Sequence, residues 1–159
     1  MAGNPLDKLD RAILLRLQQD GRETCESIGE HVGLSASAVL RRIKRLEESG
    51  VLARYVALLK PESVGLGLVA YVNVRLEKRQ DHAKRNPMDE FRASVQGWPE
   101  VVECASLTGE MDFLLHIVVA DMPAYSRFML DTLLRHPAVQ DCKTSFVMER
   151  VKSTTALPI

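Results

Sequence analysis

Cysteine is scarce in this sequence of 159 residues, which contains three, at Cys25, Cys104 and Cys142. They are widely spaced and form no Cys-x-x-Cys pair, so neither a disulfide framework nor a zinc ribbon is indicated. The four histidines likewise show no i, i+4 pairing of metal ligands. We therefore expect no bound metal and no cofactor, and we expect the cysteines to be small, buried apolar side chains.

The sequence also lacks a long apolar run. No stretch approaches the roughly 18 to 20 apolar residues that a membrane-spanning helix needs. The N-terminal stretch "MAGNPLDKLDRAILL" has acids where a signal peptide has a basic flank. We therefore expect a cytoplasmic protein that does not associate with a membrane.

Net charge is absent as well, since 21 Lys and Arg balance 21 Asp and Glu. The balance is not local: residues 34–60 hold six cations and two acids, and four of these cations occupy five consecutive positions in "RRIKR". Concentrated positive charge favours a polyanionic partner. The alternative is an ordinary surface helix whose charges are solvated.

The first 20 or so residues predict one amphipathic helix. Asp7 is its candidate N-cap and Gly21 its candidate C-terminal stop. Its expected buried stripe has helical spacing and consists of Leu6, Leu9, Ile13 and Leu17.

A second helix is expected to begin at Thr24, and Gly29 interrupts it at a cost of about 1 kcal/mol relative to alanine. A glycine at this point indicates close approach to another helix. Gly33 is suited to the left-handed conformation that ends a helix, and Ser35 is suited to cap the next one. Helix, glycine turn and capped helix form the helix-turn-helix pattern.

The third helix separates its side chains by face. Its expected buried stripe consists of Ala36, Val39, Ile43 and Leu46. The basic side chains mostly point away from this stripe, although Arg42 lies near its edge, where it would pair with an acid or a phosphate. Recognition helices present their N-terminal part to base edges, so this face predicts contact with duplex DNA.

Gly50 is expected to end the third helix, and residues 51–58 then form an extended stretch that could serve as a wing. Arg54 and Tyr55 lie on this stretch, where they could touch the DNA backbone. The complete set of expected DNA-binding residues is Ser35, Ser37, Arg41, Arg42, Lys44, Arg45, Arg54 and Tyr55.

Pro61 and Gly65 mark a linker, and beyond it the apolar period changes to that of strands. The order of the expected elements is β-α-β-β-α-β, with the polar loop "KRQDHAKRNP" after the first strand and a hairpin at "TGEMD". This order predicts a ferredoxin-like antiparallel sheet with both helices on one face. The fold class is therefore α+β: a winged helix-turn-helix domain over residues 1–60 and a ferredoxin-like domain over residues 61–159.

The whole chain resembles the Lrp/AsnC family of feast/famine regulators, and its leucine-responsive members in particular. The resemblance is carried by "LDRAILLRLQQDGR", "LSASAVLRRIKRLEESGVLARYVALL", "PEVVECASLTGEMDFLL" and "FVMERVKSTTALPI". It implies a regulator whose second domain forms homodimers, commonly assembled into octamers, and senses an amino acid between domains.

Chemistry at the "TGEMD" turn agrees with such a sensor. An α-amino acid needs donors for its carboxylate and an acceptor for its ammonium group. Gly109 exposes backbone N–H groups and Asp112 supplies a carboxylate, although a plain hairpin turn with a solvated aspartate would look the same. The effector residues that the resemblance implies by position are Ser106, Gly109, Asp112, Met122, Ser145, Phe146 and Val147. Ser106 stands where leucine-responsive relatives have an apolar residue, so leucine is not transferred to this chain as the effector.

Three functions compete at this stage. The favoured one is a sequence-specific, DNA-binding transcriptional regulator that responds to an amino acid or related metabolite. The alternative is an architectural protein that organises DNA without an effector. An enzyme is not expected, because no G-x-S-x-G, phosphate loop or metal pair occurs.

Overall fold

The computed structural model describes residues 6–77 and 86–159. The chain divides into two compact units, of which one comprises the residues up to 58 together with 151–159 and the other comprises residues 59–150. The C-terminal tail, assigned above to the second domain, thus packs with the first unit, while the functional division at residue 60 stays a prediction. His82 and most of the polar loop "KRQDHAKRNP" lie outside the described residues, as do the first five residues.

The first unit contains three helices, α1 (Lys8–Gln19), α2 (Cys25–Val32) and α3 (Ala36–Glu48). Their caps confirm the starts expected for them. The Asp7 side chain accepts from the backbone of Asp10, Thr24 caps α2, and the Ser35 hydroxyl accepts from the amide of Ala38. Side-chain caps of this kind satisfy the free N–H groups of a first helical turn.

The end of α1 differs from expectation. The helix stops at Gln19, with Asp20 as its C-cap, so Gly21 lies beyond the helix in the following turn. The left-handed glycines in the described residues are Gly33, Gly50, Gly65 and Gly109. Gly33 and Gly50 follow α2 and α3 as expected.

The core of the first unit is formed where the three helices meet. Ile13, Ile28 and Val39 are fully buried, one from each helix. Gly29 is buried for a different reason from the one expected: a Cβ there would lie 2.4 Å from the carbonyl oxygen of Leu34, in the turn before α3. The close neighbour is therefore the α2–α3 turn rather than another helix.

Residues 51–58, expected to be an extended wing, form neither helix nor strand. In the described part of the chain, no backbone-to-backbone hydrogen bond involves residues 53–59. The expected linker follows as a short 3-10 helix, Pro61–Val64, which ends at the left-handed Gly65.

The second unit confirms the ferredoxin-like prediction. Its strands are β1 (Leu68–Leu76), β2 (Val101–Ser106), β3 (Phe113–Val119) and β4 (Val139–Phe146). They pair antiparallel in the order β2-β3-β1-β4. Its helices are α4 (Pro87–Val95) and α5 (Met122–Phe128), and α5 continues as a π-helical turn, Met129–Leu133.

Strand β1 buries alternate residues, as its sequence predicted. Val72 and Val74 are fully buried, together with Phe91 of α4 and Leu115 of β3, in one apolar cluster that α5 also joins. The opposite face of β1 carries Tyr71, which stacks on the His116 ring of β3 at 4.8 Å. The sheet thus has one face packed on helices and one face without a covering layer among the described residues of this unit.

The cysteines are free and only partly buried, which corrects the expectation of full burial. Cys104 and Cys142 pack against the core of the second unit and Cys25 packs against that of the first. Burial raises the pKa of the Cys104 and Cys142 thiols, so both are protonated near neutral pH.

Candidate DNA-binding face and effector corners

Helix α3 presents a mixed polar face to solvent. The residues that line it are Ser37, Leu40, Arg41, Lys44, Arg45 and Glu48. Leu40 is 46% exposed, so it does not cover a neighbouring helix. Its exposure beside Arg41 places an apolar side chain where it could meet the methyl group of a thymine.

The two serines at the start of α3 have different tasks. Ser35 is the cap, and its hydroxyl oxygen lies 3.3 Å from the Ala38 amide nitrogen. The same oxygen lies 3.2 Å from the hydroxyl of the exposed Ser37. Ser35 is thus occupied by its capping bond, whereas Ser37 lines the outer face of the helix.

The arginines of α3 have acidic partners that the helical projection alone does not show. Arg42 lies at the edge of the buried stripe, as projected, and donates to both Asp7 and Asp10 at 2.7 Å. Arg45, projected to point outward, donates to both carboxylate oxygens of Asp10, at 2.5 and 2.6 Å. Arg45 thus keeps the exposed position projected for it, with 46% of its side chain accessible, but its guanidinium is paired with a buried acid on α1.

Electrostatics reinforce this cluster. Hydrogen bonds to Asp7 and then Asp10 raise the pKa of Arg42. Hydrogen bonding from the Asp10 amide, followed by that from Arg42, lowers the pKa of the Asp7 carboxyl. Both ions are thus stabilised in their charged forms at neutral pH.

Arg54 and Tyr55, the two residues of 51–58 that were expected to contact the DNA backbone, differ in their surroundings. Arg54 is exposed. Tyr55 is half exposed, and its ring lies beside Gly21, where a Cβ would be 3.4 Å from the tyrosine Cδ1. Burial, together with the neighbouring Glu47 carboxylate, raises the pKa of Tyr55. Arg54 is the freer of the two for a phosphate.

Three of the expected effector residues lie at one corner of the sheet. Ser106 ends β2, Gly109 is left-handed in the β2–β3 hairpin, and Asp112 precedes β3. The Asp112 Oδ2 atom accepts from the amide of Leu76 at 2.7 Å, which ties the hairpin to the end of β1. Within the described residues Asp112 Oδ1 accepts no hydrogen bond, so it remains available to a ligand.

The other four lie at a different corner. Ser145 and Phe146 end β4 beside the start of β1, and Val147 donates its amide to the Val69 carbonyl at 3.0 Å. The Phe146 ring contacts Tyr125 at 4.9 Å, and Met122 lies one turn before Tyr125 on α5. Met122 and Phe146 are both substantially exposed.

The strand register separates these two corners. Ser106 is opposite Phe113, which is opposite Val74, whereas Phe146 is opposite Ala70. Four residues along β1 correspond to about 13 Å, and the three strand spacings from β2 to β4 correspond to about 14 Å. One copy of the chain therefore does not bring the seven expected effector residues together.

Asp10 is the residue that the sequence analysis missed. It is 2% exposed and is the one buried charged residue in the described part of the chain. A signal was present, because Asp10 stands three, four and seven positions before Ile13, Leu14 and Leu17, which places an acid in the buried stripe.

The described residues contain no cluster of three or more ligand-type side chains that could hold a metal ion. Among them there is also no helix long and apolar enough to cross a membrane.

Comparison with known proteins shows the family. Residues 6–47 match the model of the AsnC-type helix-turn-helix domain, and residues 69–157 match that of the Lrp/AsnC ligand binding domain. The leucine-responsive regulatory protein of Salmonella typhimurium is 39% identical over 157 residues, which cover 99% of this chain and 93% of that protein. The protein of the same name from Escherichia coli is 38% identical over the same coverage.

The solved structures that are similar to this chain are also those of regulators. A transcriptional regulator from Neisseria meningitidis in complex with L-methionine is 49% identical, with a TM-score of 0.91 and 97% of each chain covered. A feast or famine regulatory protein from M. tuberculosis, also complexed with L-methionine, is 30% identical, with a TM-score of 0.83 over 96% of this chain and 99% of that one. The family consists of regulators rather than enzymes, which confirms the predicted function class. This chain belongs to the Lrp/AsnC family of transcriptional regulators, with an AsnC-type helix-turn-helix domain and an Lrp/AsnC ligand binding domain.

Proposed function

We propose that this regulator contacts double-stranded DNA through the exposed face of α3, with residues 1–60 as the DNA-binding domain. Ser37 and Arg41 lie in the N-terminal part of the helix, which recognition helices present to base edges. Lys44 and Arg54 are assigned to phosphates. The single observation that carries the proposal is this solvent-facing cationic face on a capped third helix.

Four expected DNA contacts are reassigned, and Arg45, which Asp10 holds, is one of them. Ser35 supports DNA binding by capping α3, and Tyr55 supports it by packing beside Gly21. Arg42 lies at the edge of the face and is held by acids, so we assign it no base contact.

Fluorescence anisotropy with a duplex from the protein's own promoter tests DNA binding. We expect tight binding in dilute salt and weaker binding to a shuffled duplex of equal length. An intact protein that binds neither duplex in dilute buffer would contradict the proposal.

We further propose that residues 61–159 sense an amino acid with a long apolar side chain, with L-methionine as the first candidate. Asp112 Oδ1 would accept from the ligand ammonium group, and the backbone around Gly109 would donate to its carboxylate. Met122 and Phe146 would surround the thioether, which sulfur and aromatic groups favour. The two relatives complexed with L-methionine support this choice.

A thermal screen of the twenty amino acids tests sensing. A ligand at one hundred times its dissociation constant adds about 2.7 kcal/mol to the stability of the folded state. L-methionine is expected to raise the melting temperature most. A screen in which no amino acid shifts the transition would favour the effector-independent architectural function instead.

Because one copy separates the two effector corners, we propose that a site is completed by two copies. Ser106→Phe and Met122→Trp each add bulk at one corner, and both residues are exposed, so neither change disturbs the core. Each variant alone should lose the thermal response. A mixture refolded together should regain about a quarter of the sites, which calorimetry would count, whereas no recovery would contradict a shared site.

We also propose that the chain forms homodimers that assemble into octamers in the cytoplasm, the compartment of its DNA partner. The uncovered sheet face supports an interface, since Tyr71 and Leu114 lie on it and the buried Nε2 atom of His116 has no hydrogen-bond partner among the residues that the structure describes. Light scattering after size exclusion measures the mass of the assembly. Tyr71→Glu is expected to lower that mass, and an unchanged mass would contradict this interface.

A further inference from the structure

Asp10 forms an unusual cluster beneath the DNA-binding face. Its carboxylate is buried, and Arg42 and Arg45 of α3 both donate to it, with Arg45 reaching both oxygens. Asp7, which is half exposed, adds a second acid on Arg42. Two acids of α1 thus neutralise two of the four cations that give α3 its charge.

The other two cations of α3 are not engaged in this way. Arg41 and Lys44 are exposed, and neither forms an ion pair within the described residues. Lys44 and Arg45 are adjacent in sequence and both line the outer face, yet they differ in whether an acid holds them.

This difference has an energetic consequence. For Arg45 to leave Asp10 and bind a phosphate, a buried carboxylate would lose a charge-assisted partner. Leaving a buried charge poorly compensated is strongly destabilising, whereas a phosphate on the DNA surface is well hydrated before it is contacted. Arg42 and Arg45 are therefore retained on the protein when DNA binds.

We propose that Asp10 is a positioning residue for DNA specificity. It withholds Arg42 and Arg45 from phosphates, which lowers sequence-independent attraction and leaves affinity more dependent on the base contacts of Ser37 and Arg41. This inference rests on the proposed DNA-binding face, and it adds that only two of the four cations of α3 are available to phosphates.

The salt dependence of DNA affinity tests this inference, since each phosphate contact contributes about 0.9 to the slope of log affinity against log salt. Lys44→Gln and Arg45→Gln form a matched pair that removes one cation each from neighbouring positions. For a dimer, we expect Lys44→Gln to reduce the slope by about 1.8 and Arg45→Gln to leave it unchanged.

Asp10→Asn provides the complementary experiment. Releasing Arg45, and removing one of the two acids that hold Arg42, is expected to steepen the salt slope, strengthen binding to a shuffled duplex and so lower the ratio of specific to non-specific affinity. Glu23→Gln is the control, because it breaks another acid–arginine pair of the same unit, with Arg16, without touching α3. We expect it to leave both the slope and the affinity ratio unchanged.

The outcomes separate this inference from the proposed function. If the wild-type protein binds no duplex, the DNA-binding face itself is contradicted, and this inference with it. If the wild-type protein binds but Lys44→Gln and Arg45→Gln reduce the slope equally, only the role of Asp10 is contradicted. Weaker DNA binding by Asp10→Asn at an unchanged salt slope would also overturn this inference, because it would show that the role of Asp10 is merely structural. Should that variant fail to fold, the comparison of Lys44 and Arg45 decides.

Discussion

The side-chain amide of Gln18 on α1 forms two hydrogen bonds with the backbone of Leu157, which lies 139 residues later in the sequence. The amide nitrogen donates to the Leu157 carbonyl at 3.2 Å, and the amide oxygen accepts from the Leu157 N–H at 2.5 Å. A single glutamine therefore pairs with the tail as a neighbouring strand would. Both residues belong to the first compact unit.

Gln18→Ala should release the tail without unfolding the unit. The two hydrogen bonds are exposed, so we expect the free energy of unfolding to fall by about 1 kcal/mol or less. Amide hydrogen exchange of residues 151–159 should accelerate to that of an unprotected peptide. Gln19→Ala, at the exposed neighbouring position, is the control. Equal exchange in both variants would contradict the docking of the tail by Gln18.

Gly29→Ala is expected to be costly despite the higher helix propensity of alanine. The added methyl group would meet the Leu34 carbonyl oxygen at 2.4 Å, and that oxygen belongs to the backbone of a tight turn, so it cannot move aside as a flexible side chain would. We expect a loss of about 1 to 3 kcal/mol, which urea denaturation measures. Glu30→Ala, on the exposed side of the same helix, should change stability by about 0.5 kcal/mol or less. A Gly29→Ala variant as stable as wild type would show that the turn yields easily.

Stability should fall in acid through Glu23. Hydrogen bonding from Arg16 holds the pKa of Glu23 below its ordinary value of 4.5. Because the folded-state pKa is the lower one, this contribution to stability is complete above pH 4.5 and is lost as the pH falls towards the folded-state pKa.

Urea midpoints measured between pH 6 and pH 3 test this relation. The wild-type midpoint should decline below about pH 4.5, and the decline should be shallower in Glu23→Gln, which cannot titrate at that position. Parallel curves for the two proteins would mean that other carboxyls cause the acid loss.

Arg41→Ala and Arg54→Ala should affect DNA binding in different ways. Arg41 lies in the N-terminal half of α3, so its loss is expected to relax sequence preference, with a cost of about 1 to 3 kcal/mol on the specific site. Arg54 lies outside the helix, and its loss should weaken specific and shuffled duplexes alike. Competition binding with both duplexes measures the two ratios. Equal effects of the two changes would show that this division between base and backbone contacts is wrong.

Local chemistry made much of the fold predictable. Thr24 and Ser35 begin helices and Gly33 ends one, because capping and left-handed backbone depend on residue type at a single position. The alternation along β1 likewise identified its buried face, since a strand with one covered face needs an apolar residue at every second position. These signals are short in range and do not depend on what the element packs against.

The failures involve partners that the sequence pattern does not show. The helical projection of Arg45 assumed that only the apolar stripe orients α3, whereas Asp10, 35 residues earlier, pairs with its guanidinium. The close contact of Gly29 was assigned to a helix because the sequence does not show how tightly the next turn folds back. Residues that match a family motif can also lie at different corners of one sheet, as Ser106 and Phe146 do.

If the proposed site is shared between two copies, the separation of the two effector corners makes the response of this regulator depend on its own copy number. If neither corner alone can hold the ligand, single chains at low protein concentration do not bind the metabolite, whatever the concentration of the metabolite. Because the coupling between two binding events is reciprocal, the metabolite then strengthens the association of two chains. The metabolite concentration that gives a half-maximal response therefore falls as the cell makes more of the protein.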